Sequence, residues 1–377
     1  MKLPQYNQVA LLLFLLACLG MPASLSALPV TGLYTYEVAV ANQSDLERSR
    51  AFREALAAVI VKVSGENRWL ENPSIDRALE TAANYVEAIA YRTESRLVMP
   101  DDSTPVPDDT VSPGQPISVE QELLNVSFAR GLIDQLLAQA AIPVWDSNRP
   151  SVLVWMALQN DAGERSLLSA DSDPGIIRLM QQFAQQRGLP IIFPVLDFED
   201  RRNLSADQLW ALDEQAIAAA SARYAPDSIL AGRLLFSASG DLVGMWQFQF
   251  QDQVQVFDSL DTELASYISA PLNRITNDLA RHFAITQTGV NRDVARLRIE
   301  GINGLAAYGE LVTYLEELVL VDTVTVAALQ GEVLELNLSL QGSRGQLSEL
   351  LSLDRNLTPL DQSGIEGRPV LTYRWMH

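Results

Sequence analysis

Residues 43–65, QSDLERSRAFREALAAVIVKVSG, dictate a helix with defined ends and one buried face. Ser44 and Glu47 have the S-x-x-E spacing in which a hydroxyl and a carboxylate satisfy each other's free backbone donors at a helix start. Gly65 supplies the left-handed stop. Between them Phe52, Leu56, Val59, Ile60 and Val63 recur at steps of three and four, while Arg48, Arg50, Arg53, Glu54 and Lys62 mostly take the other side. Such a helix must dock on something. Just ahead of it, residues 33–40 (LYTYEVAV) are aromatic and β-branched and read as a strand. Just after it, Asn72, Pro73 and Ser74 break the chain. Residues 74–90 then predict a second amphipathic helix, with Ile75, Leu79, Ala82, Ala83, Val86 and Ile89 on one side.

Residues 98–116, with five prolines and four aspartates, form a loop. The pattern resumes with a short strand at 123–128 (LLNVSF) and a helix over 130–141. Residues 151–158 (SVLVWMAL) are nearly all apolar, which suits a strand covered on both faces. Pro174 opens a helix that turns Ile176, Ile177, Leu179, Met180, Phe183 and Ala184 inward and stops at Gly188. Residues 189–196 (LPIIFPVL) follow as a second buried strand, so the three elements make a crossover unit. A helix over 213–224 leads to a hairpin of 229–236 and 242–250 around Ser239, Gly240 and Asp241. In its second arm Trp246, Phe248 and Phe250 alternate with Gln247, Gln249 and Gln251, giving one apolar and one polar face. A long helix over 261–283, bent at Pro271, closes this region.

From residue 287 the order changes to strand (295–302), helix (305–319), hairpin (323–329 with 333–340), helix (345–353) and strand (370–375). That is a ferredoxin-like βαββαβ module. The fold class is therefore α/β in the α+β sense, with mixed-sheet sandwich modules and a carboxy-terminal ferredoxin-like domain. The divisions are 1–27, 28–98, a loop at 99–118, 119–286 and 287–377.

Composition bounds the function. A chain of 377 residues, 48% hydrophobic and 20% charged, folds as two or three domains. Its net charge of −20 repels phosphates and disfavours binding to nucleic acid or anionic lipid. Lys2, the apolar run 9–20 and the small residues Ala23, Ser24, Ser26 and Ala27 have the order of a secretory signal, cleaved near residue 26 or 27. The alternative is a lipobox at residues 15–18, which leaves Cys18 lipidated. Cys18 is the only cysteine, so the mature chain has no disulfide or thiolate site. No later stretch is apolar enough to span a membrane.

Chemistry-bearing residues are few. His282 and His377 are the only histidines and too few for a metal centre, and charge at a helix end suffices for His282. There is no Gly-rich phosphate loop, no G-x-S-x-G and no H-E-x-x-H, and no cofactor is expected. The remaining cluster is Asp197, Glu199, Asp200, Arg201 and Arg202, directly after the strand at 189–196. Carboxylates there occupy the position where open α/β sheets put ligands, and a pair of them can run glycoside hydrolysis. A solvated loop with internal ion pairs is the competing reading. Asp171 and Asp173 read as helix caps ahead of Pro174.

The strings RSRAFREALAAVIVKVSG, NRWLENPSI, SVLVWMAL, FPVLDFED and ASARYAPDSILAGRL resemble the secreted bacterial proteins grouped as domain of unknown function 2066, over residues 33–283. That resemblance implies a gammaproteobacterial envelope protein with no established activity. The last string, with its hairpin and long helix, is also similar to the amino-terminal domain of the Tol system's periplasmic protein TolB, which implies a sheet that docks other proteins and transfers no residue. The expectation is a periplasmic, non-enzymatic envelope interaction or assembly accessory whose partner is another envelope protein. The alternatives are a glycan hydrolase using Asp197, Glu199 and Asp200, and an outer-membrane lipoprotein anchored through Cys18.

Overall fold

The computed structural model describes residues 30–98, 117–171, 173–237, 239–286, 293–360 and 370–376. The signal segment, Cys18, most of the 99–118 loop and His377 lie outside them. The first unit begins with β1 (Thr35–Val40) and the helix α1 (Asp45–Ser64). Ser44 caps α1 by accepting from Glu47 N at 3.4 Å. The reciprocal half of the cap is different, because Glu47 Oε1 accepts from Ala41 N and so ties the end of β1 to the helix. The apolar stripe of α1 is buried as expected, yet Lys62 is buried too, since the last turn of the helix is enclosed on all sides.

The expected second helix ends early, as α2 (Pro73–Glu80), and a 3-10 turn (Ala82–Tyr85) follows. Val86 and Ile89 belong instead to the strand β2 (Val86–Val98), which pairs antiparallel with β3 (Ile117–Phe128). Partner strands outweighed a helical periodicity that Val86, Ile89, Tyr91 and Thr93 support only weakly, being β-branched or aromatic. The sheet order is β1-β3-β2. Because β3 and α3 (Arg130–Gln139) share one core with β1, α1 and α2, residues 117–144 belong with the amino-terminal unit.

The second unit is a sheet ordered β5-β4-β7-β8-β9, with β6 also paired to β4. Its elements in chain order are β4 (Val152–Gln159), β5 (Arg165–Leu167), α4 (Pro174–Arg187), β6 (Ile191–Ile192), α5 (Phe198–Asn203), α6 (Ala206–Trp210), α7 (Glu214–Ser221), β7 (Ser228–Phe236), β8 (Leu242–Phe250), β9 (Gln253–Asp261) and α8 (Leu264–Phe283). The buried strand expected over 189–196 shrinks to two half-buried residues, because Pro190 and Pro194 cannot donate to a ladder and Leu196 turns to φ +56°. The crossover survives, with β6 and β7 both parallel to β4. Even-numbered residues of β4 enter a core beneath α4 and α8. Leu153, Trp155 and Ala157 face the other way, into a core closed by α6 and α7 and by Leu196 and Leu204 on either side of α5.

The third unit contains β10 (Asp293–Glu300), α9 (Leu305–Glu317), β11 (Val321–Gln330), β12 (Val333–Leu340), α10 (Arg344–Ser352), β13 (Leu357–Pro359) and β14 (Leu371–Trp375), with sheet order β11-β12-β10-β14-β13. The βαββαβ order is present with one strand added. The crossover from β12 through α10 delivers β13, and β14 then reverses direction and inserts beside β10, parallel to it.

The three units meet at the end of α1. Arg149 is buried, and its guanidinium donates to five carbonyl oxygens, those of Asp146, Trp145, Lys62, Arg187 and Gly188. Trp145 N donates to Val63 O, and Arg187 donates to Gly65 O. The carbonyls that a helix end leaves free are thus satisfied by the second unit. The third unit is tied in through Asp146, which accepts from Val319 N at 2.7 Å, and through Arg130, which donates to Glu317 O.

Candidate functional site

The acidic string after β6 is an internal network. Asp197 caps α5 by accepting from Glu199 N and Asp200 N, and its two oxygens also accept from both terminal nitrogens of Arg223, at 2.8 and 3.0 Å. That guanidinium, helped by the cap hydrogen bonds, holds the Asp197 carboxyl down at about 2. Asp200 is fully buried and accepts from Leu196 N, Tyr224 Oη and Arg223. Burial, followed by the bond to Asp200, pushes the Tyr224 hydroxyl up to about 12. Glu199 stays exposed, 3.6 Å from Arg223. General acid catalysis needs a carboxyl kept protonated with room for substrate. Asp197 has its proton affinity lowered by its guanidinium partner and Asp200 is enclosed by its three donors, so both are engaged in structural bonds, while Glu199 stays at the surface. Their chemistry is to lock α5 onto the turn after α7.

His282 lies in the last turn of α8, edge-on to Phe250 and Phe283, with Nε2 2.6 Å from Glu349 of α10. Gln251 donates to the same Glu349 oxygen, so the pair joins the second unit to the third. Among the described residues no three His, Cys, Asp or Glu side chains are grouped to hold a metal ion. A shallow pocket of about 590 Å³ opens at the end of the third sheet, between Glu300, Asn303, Glu332, Arg374 and Met376. Within it Arg374 is paired with Glu300 at 3.3 Å.

Buried cations cluster at the junction described above. Burial lowers Arg149 to about 9 and Arg187 to about 10. Burial, then repulsion from Arg149, lowers Lys62 to about 8, and its ammonium donates to Gly32 O and Thr35 O. Lys62 and Arg149 donate to backbone carbonyls, and Arg187 donates to Gly65 O and to the side-chain oxygens of Asn273 and Asn277.

What stays uncovered is the outer part of the central sheet. Helices α6 and α7, with Leu196 and Leu204 on either side of α5, cover β4 and β7 on one face, and that core includes no residue of β8 or β9. Val243 of β8 and Val254, Val256 and Leu260 of β9 consequently face solvent, Leu260 being 73% exposed. The glutamines expected on an open polar face behave otherwise. Gln247 is only 4% exposed, and the Nε2 atoms of Gln247 and Gln249 are buried without a hydrogen-bond partner. Among the described residues β9 pairs only with β8 and ends the sheet. Sequence reasoning passed over this strand, although Val254, Val256 and Leu260 recur at even spacing behind a two-residue turn.

Residues 27–146 match a family model described as a domain of unknown function (DUF8605). The matched stretch coincides with the amino-terminal core and stops at Asp146 on the junction. This corrects the resemblance to domain of unknown function 2066, which no family match supports. The strings that suggested it encode an amphipathic helix and buried strands, patterns that α/β proteins of different descent share. No curated protein matches the chain. A solved structure described as the crystal structure of an uncharacterized protein is 12% identical over 36% of this chain and 92% of its own, with a TM-score of 0.17.

Proposed function

We propose that the chain is a periplasmic, non-enzymatic interaction or assembly factor of the cell envelope, whose partner is another envelope protein. The observation that carries this reading is the group of exposed apolar side chains at the outer part of the central sheet, Val243 of β8 with Val254, Val256 and Leu260 of β9. Contiguous exposed apolar surface on a folded chain marks a place where another surface sits. Two further features support it. The amino-terminal segment has the charged, apolar and small-residue order of a secretory signal. Asp197 and Asp200 are held in structural bonds. Crosslinking of a tagged chain in intact cells, followed by identification of what co-purifies from the envelope, tests the reading. Turnover of a cell-wall glycan by the purified chain, abolished by Asp197→Asn with Asp200→Asn, overturns it.

A further inference from the structure

The geometry points to the way this surface is used, an inference that rests on the interaction reading above: an extended segment of another protein, with apolar residues at alternate positions and a basic residue among them on the same face, adds along β9 as the next strand of the central sheet. β9 is nine residues long and carries a row of backbone donors and acceptors on its outer side, since among the described residues its ladder runs to β8 alone. An edge of that length is a template for strand addition, in which main-chain hydrogen bonds give affinity and alternate side chains give specificity.

The side chains that project from one face of β9 choose the partner. Val254, Val256, Asp258 and Leu260 project together, in register with Gln249, Gln247, Met245 and Val243 of β8. An incoming strand lays every second side chain beside this row, so its apolar positions extend the valines and leucine. Asp258 and, at the turn, Asp252 are exposed and have no cationic partner among the described residues. A lysine or arginine at the facing positions supplies one. A second copy of the chain fits the edge less well. It brings four of these carboxylates onto one face and joins two bodies that each carry a net −20.

The test uses the full chain and a twelve-residue synthetic peptide of alternating valine and threonine in which one central valine is replaced by lysine, so that the lysine shares a face with the other valines. Two control peptides replace that lysine by glutamate, or move it one position onto the threonine face. Fluorescence anisotropy should show the first peptide binding at least about tenfold tighter than either control, and Asp258→Lys or Val256→Lys removing that preference without changing the melting temperature. Equal binding of the shifted peptide, or binding indifferent to both substitutions, reduces the effect to general adhesion on an acidic chain and overturns the proposal. So does a wild-type dimer that Val256→Lys dissolves, which gives the edge to a second copy. If crosslinking in cells captures a partner that both variants retain, strand addition fails while the interaction reading stands. If no partner is captured at all, both fail.

Discussion

Asp200 is fully buried and still accepts three hydrogen bonds, from Leu196 N, Tyr224 and Arg223. Replacing it by alanine strands a buried amide, a buried hydroxyl and part of a guanidinium. Asp200→Ala should lower the unfolding free energy by about 3 kcal/mol in urea titrations, a loss far above that of an exposed carboxylate. The local spacing D-x-x-D shows a cap, but only Arg223 and Tyr224, 23 and 24 positions later, decide that the second aspartate is enclosed. Lys62 makes the complementary point. Its neighbours in α1 place it on the charged side, and the second unit then buries it. Because its folded value of about 8 lies below the ordinary 10.5, the unfolded chain binds more protons across that window. This group therefore contributes stability that rises with pH from about 8 to 10.5. The difference in unfolding free energy between wild type and Lys62→Met should grow with pH over the same range, and a pH-independent difference would contradict the burial of the ammonium.

The helix α1 is bounded by local signals, and its end does more than stop it. Gly65 takes φ +79°, and a Cβ there would lie 2.4 Å from Ala280 Cβ and 2.7 Å from the Trp145 ring. Gly65→Ala thus meets both left-handed strain and two packed neighbours from the second unit. A fall of at least about 2 kcal/mol is expected, read as a lowered thermal midpoint, against only a few tenths for alanine at an exposed helix end. Similar logic separates the two kinds of strand in this chain. β4 is legible because both of its faces are apolar. β9 is equally regular, but glutamine, aspartate and serine interrupt its apolar positions, and its two-residue turn holds Gln251 at φ +53° with no glycine to announce it.

Across the molecule the units are coupled through residues 144–149. Arg149 holds the carboxyl ends of α1 and α4 together by three hydrogen bonds, anchors itself to Trp145 O and Asp146 O by two more, and Asp146 reaches Val319 in the third unit. Arg149→Met should cost at least about 3 kcal/mol, since buried carbonyls lose a charged donor. In calorimetry the single transition of the wild type should split, with the amino-terminal unit melting separately. Retention of one cooperative transition would show that apolar contacts suffice for the coupling. From the sequence alone come the α/β class, the ends of α1, the buried β4 and the βαββαβ order of the last unit. Each is written in nearest-neighbour periodicity, capping or turn chemistry, which a short window contains. Only the tertiary structure decided that 74–90 divides between helix and strand, that β3 joins the first core, that β14 runs parallel to β10, and that the acidic string is locked while β9 is open. Those outcomes depend on which distant element covers a given face, and burial of that kind is a property of the assembled chain rather than of any stretch within it.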